Sequence, residues 1–135
     1  MDVNRIGGKG FHHVAVNARD FDVSVSFYRD GLGFPVKRAW SGSEPGSRGA
    51  MLDTGDGSYM EIFEKPDWDV ALGKIIHFAL RVSDTPAAHE RALQAGAVEK
   101  MVPTDIEIPS DPPFPATISF VYGPDGEEIE FFQER

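Results

Sequence analysis

Four short stretches of the chain each put one nitrogen or oxygen donor on a single side of an alternating run. They are His13 in Phe11-His12-His13-Val14-Ala15-Val16, Glu61 in Tyr59-Met60-Glu61-Ile62-Phe63, His77 in Ile76-His77-Phe78-Ala79-Leu80-Arg81-Val82, and Glu130 in Glu128-Ile129-Glu130-Phe131-Phe132. Successive side chains of a strand point to opposite faces. His13 is therefore set against Val14 and Val16, Glu61 against Met60 and Ile62, His77 against Phe78 and Leu80, and Glu130 against Ile129 and Phe131. Neutral imidazole and carboxylate suit divalent Zn, Ni, Co, Mn or Fe(II), and two carboxylates cancel the charge of such an ion. The chain has no cysteine, so disulfides and thiolate nucleophiles or ligands are excluded and any metal must be held by nitrogen and oxygen. Singly, each residue reads as a hydrogen-bonded or solvent-facing strand position. The set of four is what points to a metal site.

Turns and caps must position these donors. Ahead of Glu130 stands Tyr122-Gly123-Pro124-Asp125-Gly126, where Pro124 presets φ and Gly126 frees it, so that the following alternation puts Glu128, Glu130 and Phe132 on one face. Between His13 and Glu61 the spacing of Phe21, Val25, Tyr28 and Leu32 predicts a helix, capped by Asp20 or Asp22 and ended by Gly31 or Gly33. Strands follow over 35–40, 49–53 and 58–64, the last two joined at Gly55-Asp56-Gly57. The second half repeats the order. A strand over 74–83 leads to a helix opened by Asp84-Thr85-Pro86, lined by Ala88, Ala92 and Ala95 and stopped at Gly96. Strands over 98–108 (interrupted at Pro103), 115–122 and 127–133 complete it. This is an α+β chain with a flexible leader over 1–10, a first module over 11–64, a linker over 65–73 and a second module over 74–135. The Pro-rich stretch 109–115 reads as a connector or a lid. His12 falls on the apolar face beside Val14 and reads as a core or interface residue, whereas His89, between Ala88 and Glu90, reads as solvated.

A length of 135 residues suits one domain with a sizeable core. Net charge is -9, which argues against nucleic acid or an anionic membrane as partner. The first ten residues lack the apolar core of a signal peptide and no run reaches the length of a membrane span, so the expected location is cytoplasmic. Arg38, Trp40, Arg48 and Phe63 in the first half, with Lys65, Arg81, Phe120 and Tyr122 later, are candidates to shape a pocket.

The segments His13-Val14-Ala15-Val16, Phe27-Tyr28-Arg29-Asp30-Gly31-Leu32-Gly33-Phe34, Tyr59-Met60-Glu61-Ile62-Phe63, His77-Phe78-Ala79-Leu80 and Pro124-Asp125-Gly126-Glu127-Glu128-Ile129-Glu130 resemble the vicinal oxygen chelate superfamily from about Phe11 onward. The superfamily includes glyoxalase I, extradiol dioxygenases and bleomycin-binding proteins. The resemblance implies two βαβββ modules whose curled mixed sheets surround a shared cleft, with the helices outside. It implies a divalent metal ion held by His13, Glu61, His77 and Glu130, with Glu130 as main base and Glu61 as ligand or second base. It also implies a homodimer and a small-molecule substrate. A His/Glu/His/Glu set leans toward the glyoxalase I type, a lyase or isomerase working on a small α-oxygenated substrate through a metal-chelated enediolate. The alternatives are an Fe(II) extradiol-type dioxygenase and a non-catalytic drug- or metabolite-binding protein. Where glutathione-binding members carry an arginine and an asparagine, this chain has Asn17 and Lys65, which implies a changed substrate.

Overall fold

A computed structural model describes Arg5 and residues 11–42, 44–68, 77–109 and 112–135. The expected leader apart from Arg5, the later part of the expected linker and the start of the strand expected at 74 lie outside the described residues. Two four-stranded mixed sheets carry the architecture. In the first, β1 (His13–Ala18) runs parallel to β4 (Tyr59–Glu64), which pairs antiparallel with β3 (Arg48–Asp53), and β3 pairs antiparallel with β2 (Val36–Ser41). In the second, β5 (Phe78–Arg81) runs parallel to β8 (Glu128–Glu134), followed by β7 (Phe114–Tyr122) and β6 (Val98–Ile108), both antiparallel. The strand order is the same in both sheets.

Each parallel pair needs a crossover, and a helix supplies it. Helix α1 (Phe21–Ser26) continues into a π-helical turn over Phe27–Gly31. Asp20 caps it, accepting from the Val23 N–H at 3.1 Å. Helix α2 (Thr85–Gln94) is capped by Asp84, which accepts from the Ala87 N–H at 3.0 Å. Both helices pack on one face of their sheets and there make the core: Tyr28, Leu52, Ile62, Val121 and Ile129 are completely buried. Even-numbered residues of β4 and odd-numbered residues of β8 take that face, and this sends Glu61 and Glu130 to the opposite face, which is helix-free among the described residues.

Three expectations are corrected. His89 is not solvated but buried, at 3% exposure, and its Nε2 lies 2.7 Å from Glu99 Oε2. The inward stripe of α2 runs through Thr85, His89 and Ala92, a helical repeat that the alanines obscured. His12 is not in the core: it is exposed, one residue ahead of β1, with its Nδ1 3.0 Å from that of His13 and its ring 5.2 Å from that of Tyr59. Pro103 does not break its strand. β6 runs through it with register shifts between Glu99 and Thr104, which absorb a residue that has no N–H to donate.

The modules are tied at the turn before Glu130. Gly126 has φ 82°, as that turn requires. Asp125 accepts from the Arg19 N–H and side chain and from Ser24. Glu127 accepts from the Tyr28 hydroxyl at 2.7 Å and from the Asp125 N–H at 2.8 Å. Burial, then the neighbouring Glu127 charge, hold the Tyr28 phenol well above its ordinary value, so it stays a donor. Tyr28→Phe removes a buried donor to a carboxylate and is expected to cost about 1–3 kcal/mol in a urea unfolding curve. A midpoint unchanged from the parent would show that the modules do not depend on this tie.

Candidate functional site

On the first sheet, His13 and Glu61 emerge on the same face of adjacent parallel strands, and His13 Nε2 lies 3.4 Å from Glu61 Oε1. On the second, His77 stands one residue before β5, and its Nε2 lies 3.3 Å from Glu130 Oε1. Two donors on one ion, each about 2.1 Å away, are separated by roughly 3 Å. Both pairs therefore have the spacing of neighbouring ligands, and their donor types fit a divalent ion. Among the described residues, no group of three or more His, Asp or Glu side chains is gathered around one point. The chain brings the predicted residues together as two matched pairs rather than as one cluster of four.

The second pair is the more enclosed. Glu130 is 8% exposed, and it lies opposite Phe120, whose ring meets His77 edge-on at 5.3 Å. Desolvation by burial pushes the Glu130 carboxyl above its ordinary value, while the charge and hydrogen bond of His77 pull the other way. A carboxylate raised by burial is a better proton acceptor than one in water. The edges of the two sheets adjoin beside the first pair: a cavity of about 150 Å³ is lined by His13, Tyr59 and Met60 from one sheet and by Phe78, Ala79 and Leu80 from the other.

The pocket candidates divide. Trp40 and Phe63 lie on the helix-free face of the first sheet, with ring centroids 6.2 Å apart, and Arg38 stands opposite Met51, which is itself opposite Glu61. Phe120 and Tyr122 lie on the corresponding face of the second sheet. Arg48 serves the fold instead: it binds Glu64 at 2.8 Å and Asp22 at 3.0 Å and covers the Phe21 ring. Arg81 is exposed and 3.8 Å from Glu134. Lys65 follows β4, where its N–H donates to Ala18. Sequence reasoning missed Lys100, whose Nζ lies 2.6 Å from Glu128 Oε1 and over the Phe120 and Tyr122 rings. The shifted register of β6 hides its face from a simple alternation count.

Paired βαβββ modules with donor pairs at equivalent places define a two-module class of α+β protein. The sequence profile of the Glyoxalase/Bleomycin resistance protein/Dioxygenase superfamily matches residues 10–131, and the chain belongs to that family. It is 30% identical over 128 residues to the uncharacterized protein YwbC of Bacillus subtilis, covering 93% of this chain and 98% of YwbC. Among solved structures it resembles a variant of glyoxalase I from Zea mays, with a TM-score of 0.72 and 21% identity over 90% of this chain and 43% of that one. It also resembles TnmS3, an antibiotic binding protein from Streptomyces sp. CB03234, with a TM-score of 0.71 and 19% identity over 94% of this chain and 97% of that one. At these identities both likenesses concern the fold alone. No helix among the described residues is long and apolar enough to cross a membrane.

Proposed function

We propose that this chain is a divalent-metal-dependent lyase or isomerase of the glyoxalase I type, acting on a small α-oxygenated substrate. The observation that carries this reading is the repeated His–Glu pair, at 3.4 Å and 3.3 Å, on corresponding strands of both modules. His13, Glu61, His77 and Glu130 would hold the ion. When bound, it supplies a Lewis acid for two adjacent substrate oxygens and so lowers the cost of the charge left by a departing C–H proton. Glu130 takes that proton from the hydroxyl-bearing carbon beside the carbonyl and returns it to the former carbonyl carbon, while the hydroxyl proton passes to the former carbonyl oxygen. The burial of Glu130 keeps competing water away. His77 would share the ion with Glu130, and Phe120 borders the pair, opposite Glu130 and edge-on to His77.

The two pairs become one site when a second copy of the chain sets its second module against the first module of its partner. A twofold axis then produces two equivalent sites from identical contacts. An exposed aromatic away from the Trp40–Phe63 pair supports this: Phe114, on the helix-free face of the second sheet, is 37% exposed, and an uncovered apolar patch on a sheet calls for a cover.

Titration of the metal-free protein with Zn, Ni, Co, Mn and Fe(II), followed by calorimetry, tests the reading. The expected result is about one ion per chain, with affinity lowered at least about tenfold in His13→Ala and in His77→Ala alike. Loss in one variant but not the other would leave only one pair as a ligand set and refute the shared site. Oxygen uptake with a catechol would instead identify the dioxygenase chemistry. A second reading, a binding protein without turnover, is favoured by the open Trp40–Phe63 pair, and it predicts ligand affinity that does not depend on metal.

A further inference from the structure

We infer that Trp40, laid over Gly49 beside Phe63, forms an aromatic bed that selects substrates carrying a planar aromatic group next to their two adjacent oxygens. The inference rests on the metal-site reading above for the oxygens; the bed itself stands on packing.

Register sets the three residues in one row across the sheet: Trp40 opposes Gly49 on β2 and β3, and Gly49 opposes Phe63 on β3 and β4. A Cβ at Gly49 would fall inside contact distance of the indole atoms Cε2, Cζ2 and Nε1. The backbone does not require glycine here, because Gly49 is absent from the glycines with positive φ. The missing side chain is needed by the indole, which lies down across β3 into the space a Cβ would fill. Phe63 then meets it at an interplanar angle of 67° and supports its edge. Both rings remain 37% exposed, on a face that no helix of the described residues covers.

The neighbouring row on that face consists of Arg38, Met51, Glu61 and Ala15. Two residues of strand separate the rows by roughly 7 Å, and the strand of Gly49, over which the indole lies, is roughly 5 Å from that of Glu61, so the bed stands about 9 Å from the Glu61 backbone on the same face. Asn17 lies opposite Phe63 and brings no charge to the row. An apolar, flat group fits these surroundings better than a charged peptide arm does.

The test uses Trp68→Phe as background, which leaves Trp40 as the sole indole of a chain with two. Benzohydroxamate and acetohydroxamate each offer two adjacent oxygens, and only the first carries a ring. With zinc-loaded protein, benzohydroxamate is expected to bind about tenfold more tightly than acetohydroxamate and to quench Trp40 emission. In calorimetry that ratio should fall to within about threefold in Gly49→Ala and in Trp40→Ala, two changes that perturb the bed by opposite means. Circular dichroism and the thermal midpoint identify a misfolded variant, and the other variant then decides. Equal affinities in the parent, or a ratio that survives Trp40→Ala, overturn the inference. So does Trp40 emission already typical of a buried indole and indifferent to both probes, which would mean that a second copy covers the bed or that Trp40 only shields Gly49. If zinc does not bind, the metal reading fails by itself. The bed is then judged on metal-free protein by 2-naphthol: saturable quenching of Trp40 that is lost in Gly49→Ala supports it, and no quenching overturns it.

Discussion

Glu130→Gln is expected to lower turnover of an α-hydroxy ketone by about a thousandfold, the scale of losing a positioned general base. The amide keeps the size of the side chain and its place opposite Phe120, but it cannot accept a proton at neutral pH. Metal affinity should fall by a smaller factor, because three other donors remain. Exchange of the substrate C–H proton with deuterated water, followed by NMR, measures the step directly. Exchange at the parental rate in the variant would remove Glu130 from proton transfer. Glu61→Gln is the natural comparison, because its carboxylate stands at the matching place in the other module, beside His13 at 3.4 Å. If Glu130 is the main base, exchange should survive better in Glu61→Gln.

Mixing two inactive variants should restore activity. His13→Ala damages the first pair of a copy, and His77→Ala damages the second. If each ion takes one pair from each of two copies, a mixed dimer contains one site damaged twice and one site left whole. Random pairing makes half of the dimers mixed, so an equimolar mixture should regain about a quarter of parental activity. If the four residues converged within a single chain, every site in the mixture would stay damaged and nothing would return. Labelling the two variants with different fluorophores and following energy transfer after mixing separates failure to exchange partners from failure to complement. The expectation follows from geometry: within the described residues the pairs stay apart, so something must bring them together.

Most of the fold was legible because it rests on local rules. Alternation assigned Glu61 and Glu130 to the face opposite Met60, Ile62, Ile129 and Phe131, and the sheets place them there, since a strand has only two faces. The cap at Asp84 was readable from a side chain that hydrogen-bonds its own next turn, and the first cap was narrowed to Asp20 or Asp22, of which the structure uses Asp20. His89 was misread because an alanine stripe can be drawn along more than one side of a helix, and packing decides which side turns inward. Lys100 was missed because register shifts in β6 cancel the two-residue rhythm. Arg48 looked like a pocket residue until Asp22 and Glu64 were seen to enclose it.

What the sequence determined by itself was chemistry and periodicity: which donors exist, that thiolate is absent, and that each half presents one histidine and one glutamate on matching strands. Those are properties of residue types and near neighbours, and no distant contact can alter them. What only the tertiary structure decided was distance. It brought His13 to Glu61 and His77 to Glu130 while leaving the pairs separate, and it laid Trp40 over the one strand position with no side chain to block it. Such outcomes depend on register and packing between strands far apart in the chain, where a shift of one residue turns every side chain to the other face.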